Sequence, residues 1–171
     1  MKNVEKLEGL VAGWLKPLPH LPVNAQKWIA DNSWWIVLVG VILSIIGLMF
    51  MISALIVALT LVGTTVSYYG YVATGSYGGW WVVNSVIALI FSIGLVALMS
   101  TAITPLKTMK AKGWKILFLT LIVNALYIVV NAIFSFSVIG FVFGLIFGAI
   151  GLAISSYILF EIKSHFVKSS K

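Results

Sequence analysis

The stretch WWIVLVGVILSIIGLMFMISALIVALTL, residues 34–61, decides what kind of protein this is. It carries no Asp, Glu, Lys or Arg, and a helix needs about 20 apolar residues to cross the hydrocarbon of a bilayer. The charge-free region is wider still. It runs from Asn32 to Leu106, and a second one runs from Ile116 to Phe160. A charged side chain at the bilayer centre costs at least about 2.5 kcal/mol, so voids of this length mark segments that live in lipid.

Working outward, four segments are long and apolar enough to span: about 34–61, 80–103, 115–134 and 137–160. The first is expected to run on toward Val66 and so to tilt or project. A very short turn at Ser135–Ser137 makes the third and fourth a tight antiparallel hairpin. The expected fold is an all-α integral membrane protein, a four-transmembrane-helix bundle with an N-terminal interfacial amphipathic helix. Residues 1–32 form the cytoplasmic interfacial segment, 33–163 the four-span domain and 164–171 a basic tail. Of the 171 residues 61% are hydrophobic and 9% charged, outside the range of a soluble domain. The first thirty residues lack the apolar core of a cleavable signal peptide.

All positive side chains are lysines, with a formal net charge of +7. Lys2, Lys6, Lys16 and Lys27 precede the first span, Lys107, Lys110, Lys112 and Lys115 separate the second from the third, and Lys163, Lys168 and Lys171 follow the fourth. The other two connections have none. The positive-inside rule therefore puts both termini in the cytoplasm of a cell-membrane protein. The basic loop, with Trp114 as its interfacial anchor, is suited to anionic headgroups. Lysines set beside apolar spans rather than along a groove exclude nucleic acid as the partner.

In the N-terminal segment Val4, Leu7, Leu10, Val11, Trp14 and Leu15 share one helical face, opposite Lys2, Glu5, Lys6 and Glu8. Such a helix lies in the interface or docks a cytosolic partner. Pro17, Pro19 and Pro22 then impose an extended connector, and Pro22 is expected to open a separate short helix, Val23–Asn32. Thr104-Pro105 is expected to stop the second span.

Small residues recur on single helical faces. The fourth span has Ser137, Gly140, Gly144, Gly148, Gly151 and Ser155, and the first has Gly40, Ser44, Gly47, Ala54 and Ala58. Stripes of this kind let backbones approach closely, within one chain or between copies. The third span carries a polar line, Thr120, Asn124, Tyr127, Asn131 and Ser135, with Asn84 of the second span as a candidate partner for its outer members. Buried amides must find hydrogen bonds, so the line serves either as interhelical bonding or as the edge of a path for a small solute or ion. The charge-free stretch Gly63–Trp81, with its Tyr and Trp residues, reads as an interfacial aromatic belt.

No cysteine is present, which removes thiolate nucleophiles and ligands. The acidic and imidazole groups are scattered over one flank, so neither catalysis, metal nor cofactor is expected. The expected function is a non-catalytic subunit, scaffold or membrane-organising component that packs against copies of itself or another membrane protein. The alternative is an oligomeric channel or facilitator lined by Thr120, Asn124, Tyr127 and Asn131.

Overall fold

The computed structural model describes residues 2–69, 77–134 and 138–168, with side chains over 4–57, 59–60, 82–134 and 138–166. The expectations for the aromatic stretch 63–81 and the turn 135–137 lie outside those side chains. Among the described residues six helices follow in order: α1 Lys2–Leu15, α2 Val23–Tyr69, α3 Tyr77–Lys107, α4 Ala111–Ile133, α5 Val138–Glu161 and α6 Lys163–Lys168. Helices α2 to α5 are each long and apolar enough to cross a membrane.

Two helix boundaries differ from expectation. The segment 23–32 is not a separate helix but the first turns of α2, which runs unbroken for 47 residues, roughly 70 Å. The Pro22 carbonyl accepts from the amides of Ala25 and Gln26 at 2.8 and 3.0 Å and so starts the helix. Asn32 and Ser33 could have capped a break, but both side chains donate to carbonyls of their own helix, at Trp28 and Ala30. Pro105 does not stop α3 either. Near a helix end its missing N–H costs a single bond, and the helix ends two residues later. There the Lys110 amide bonds the Pro105 carbonyl and the Met109 amide bonds the Leu106 carbonyl, both at 2.9 Å. Met109 takes the left-handed position, φ 52°. This is a Schellman closure with methionine where glycine is usual.

The spans pack in series, α2 on α3, α3 on α4 and α4 on α5, while among the described residues α5 and α2 have no comparable interface. The ring is therefore open on that side. Its buried core sits at the end that bears the lysines: Ala30, Ala102, Leu106, Phe118, Leu159, Ile162 and Phe166 form one cluster, to which α6 contributes Phe166. Trp114 belongs to this core at 3% exposure, not to an interfacial belt. Its indole N–H donates at 2.7 Å to the carbonyl of Leu159, one of the last carbonyls of α5 that have no partner within the helix. Trp114 lies parallel to Phe118 and edge-on to Phe160, each with ring centroids 5.5 Å away. A tryptophan with its polar edge satisfied loses the reason to sit at an interface.

Candidate functional site

Where the series of helices fails to close, a cavity of about 710 Å³ remains, lined by α2, α3, α4, α5 and Ile162 just beyond α5. Three of its four helix–helix seams are packed, so its open flank is the gap between α2 and α5. At the basic end Ile29 and Ile162 border it, above the buried cluster. Val37, Leu48, Met51, Val96, Met99, Leu121 and Ile158 give it apolar walls. Its polar residues are Ser33, Ser44, Ser92, Thr120, Asn124 and Ser155, and among the described residues no charged one lines it. The hydroxyls of Ser33, Ser44 and Thr120 donate to carbonyls of their own helices at 2.7–3.0 Å. The Asn124 amide has no hydrogen-bond partner among the described residues.

The polar line of α4 is thus divided. Thr120 and Asn124 face the cavity, whereas Asn131 donates to the Tyr127 hydroxyl at 3.3 Å and the Tyr127 ring packs on Phe91. Asn84 does not join them. Its side-chain oxygen is buried with no partner among the described residues.

The small residues divide too. On α2, Gly40 faces the Met99 side chain, where an added Cβ would stand 3.6 Å from the terminal methyl. Ser44 and Gly47 border the cavity. On α5, Gly148 is pressed against Ile128, whose γ-methyl lies 2.5 Å from where a Cβ would be. Gly144 and Gly151 are exposed, and a Cβ on either would meet nothing within 4 Å. Gly140 is half-buried, and Ser155 is exposed on the cavity wall.

At the basic end Lys107, Lys110, Lys112 and Lys115 are all exposed, with the Lys107 ammonium 5.2 Å from the ring centre of Trp34. Nearby, a carboxylate ties the two ends of the chain together. Glu161, its side chain 7% exposed, accepts from the Leu21 amide and the Gln26 side chain at 2.9 Å each and pairs with the His20 ring at 2.7 Å. The Tyr157 hydroxyl donates to the Pro19 carbonyl, and Lys163 pairs with Glu8. Sequence reasoning missed this knot. Its only signal was a lone acid at the end of an apolar span, and nothing in the spacing pointed that acid at residues 20–26. The proline connector explains the fit, because without helical bonds of its own it has amides to offer.

No family model, no characterised protein and no solved structure matches this chain.

Proposed function

We propose that the chain is an integral protein of the cell membrane, with both termini in the cytoplasm, that performs no catalysis. It works as a subunit, scaffold or membrane-organising component by packing helix against helix. Four long apolar helices support insertion. The lysines gathered at one end support the orientation. Leu7, Leu10 and Trp14 of α1 are exposed together, Trp14 at 74%, which suits an interfacial seat for that helix. The four exposed lysines of the α3–α4 turn suit anionic headgroups, at about 1 kcal/mol each.

The observation that carries the packing reading is the unspent glycine line of α5. Among the described residues α4 is the one spanning helix with an extensive seam on α5, and of Gly144, Gly148 and Gly151 only Gly148 meets a neighbour. Gly144 and Gly151, one heptad apart, lie within about 20° of each other around the helix. Small residues on a lipid-exposed line have no packing use until another helix comes close. We assign that role to α5 of a second copy, because an identical line on the partner makes the contact self-complementary under two-fold symmetry.

Native mass spectrometry of the gently extracted protein tests this. The expected result is a dimer or an even-numbered multimer that falls to monomer in the Gly144→Leu/Gly151→Leu pair, with helix content unchanged. A wild-type monomer, or a multimer indifferent to the pair, overturns it. A conduit along the α4 polar line has weaker support, since Tyr127 and Asn131 are occupied with each other.

A further inference from the structure

We propose that the cavity between α2, α3, α4 and α5 binds one neutral lipid, a long hydrocarbon chain whose single hydroxyl or carbonyl oxygen hydrogen-bonds to the Asn124 amide. The proposal rests on membrane insertion but not on self-association.

Size comes first. About 710 Å³ falls within the roughly 300–1,000 Å³ of small-molecule sites. Shape agrees. The walls of α2 run from Ile29 to Met51, roughly 33 Å of helix, long and narrow for that volume, as an extended chain requires.

Chemistry then narrows the ligand. Among the described residues no Lys, His, Asp or Glu lines the cavity, so a phosphate, carboxylate or ammonium would enter without a counter-charge. Most of the wall is apolar. Three of the five bordering hydroxyls donate to their own helices; beside the single hydroxyls of Ser92 and Ser155, the Asn124 amide is the group that offers two N–H donors and a carbonyl acceptor together, unused among the described residues. A group of that kind kept from water needs a partner. Asn124 lies 13 residues past Ala111, roughly 20 Å along α4, deep enough that a lipid headgroup at the surface cannot serve it. An oxygen on an otherwise apolar molecule can. The gap between α2 and α5 admits such a molecule sideways from the surrounding hydrocarbon.

The experiment is photolabelling in vesicles with a diazirine-bearing long-chain alcohol and with the matching diazirine alkane that lacks the hydroxyl, followed by peptide mapping. Alcohol labelling is expected at cavity residues such as Met51 and Met99, and it saturates with unlabelled alcohol. Asn124→Leu is expected to weaken alcohol labelling about tenfold and to leave alkane labelling unchanged. Gly47→Phe, at a cavity-wall position where an added Cβ meets nothing within 4 Å, sets a ring against the cavity and is expected to weaken both signals. Labelling that does not saturate and falls equally on outward residues such as Phe147 and Ile150 in the wild type overturns the proposal. So does saturable labelling indifferent to both substitutions. Because the cavity lies within one copy, saturable labelling persists in the Gly144→Leu/Gly151→Leu pair. A failure of self-association and a failure of the pocket are thereby read separately. Release of the protein from vesicles by alkaline carbonate would identify failure of the membrane reading instead.

Discussion

Gly148 and Gly144 are one helical turn apart on α5, and the structure assigns them opposite consequences. An alanine Cβ at 148 would stand 2.5 Å from the Ile128 γ-methyl and 3.1 and 3.2 Å from two further carbons of that side chain. Carbon pairs are comfortable at about 3.5–4.0 Å, so roughly 1 Å must be found. Ile128 is β-branched and cannot swing its γ-methyl away freely within a helix. The α4–α5 seam must therefore open, at about 1–3 kcal/mol, against about 1 kcal/mol regained from replacing a helical glycine. Gly148→Ala is expected to be neutral to about 2 kcal/mol destabilising. Within a single copy Gly144→Ala meets no such neighbour, so in the dissociated monomer it keeps the propensity gain of about 0.5–1 kcal/mol. Reversible unfolding in mixed micelles, followed by circular dichroism, measures both. The decisive measurement is the cycle with Ile128→Ala, which removes the obstructing methyl. A coupling of about 1 kcal/mol or more that rescues Gly148→Ala is expected. Zero coupling, or equal costs at 144 and 148, would refute the α4–α5 seam described here.

Three further substitutions probe the basic end. Glu161→Ala strips the acceptor from the Leu21 amide, and with a charged bond worth about 1.5–3 kcal/mol hydrogen exchange at that amide is expected to accelerate by about 10- to 100-fold; an unchanged rate would mean that the connector is held by something else. Trp114→Phe keeps a ring against Phe118 and Phe160 but leaves the buried Leu159 carbonyl without its indole donor, for an expected loss of about 1–3 kcal/mol in the same unfolding assay. Gly113→Ala would set a Cβ 2.8 Å from the Leu106 backbone nitrogen. Backbone yields less readily than a side chain, so a loss of about 1–3 kcal/mol is expected, and a melting point at or above the wild type's would show that the α3–α4 turn relaxes freely.

The sequence made the long helices legible because apolar length is a local property. Residues 34–61 and the lysine punctuation around them required no knowledge of neighbours. Boundaries fared worse where a local signal met a longer-range preference. Pro105 reads as a stop, yet a proline so near a helix end forfeits a single bond. Pro22 reads as the start of a short helix, and it starts a long one because Asn32 and Ser33 turn inward instead of capping. Trp114 was misread for a related reason. Its place beside lysines suggests an interface, and only the fold brings the free carbonyl of Leu159 within 2.7 Å of the indole. The stripes of small residues were visible, but periodicity cannot say which glycine meets a neighbour. That Gly148 does and Gly144 does not is a property of where α4 lies. The cavity was not legible at all, since it arises from a contact that α2 and α5 do not make.

The knot at Glu161 also carries a consequence for the order of assembly. His20 and Glu161 are 141 positions apart and Leu21 and Glu161 are 140 apart, so the connector is fastened only after all four spans between them have been made. Throughout synthesis of the spans between them, the Leu21 amide lacks the carboxylate acceptor that it has in the folded chain. Chains truncated before Glu161, or stalled there, would leave α1 swinging on its tether. The clasp thus acts as a marker that the fourth span has been made and seated, recorded in which amides exchange and which do not.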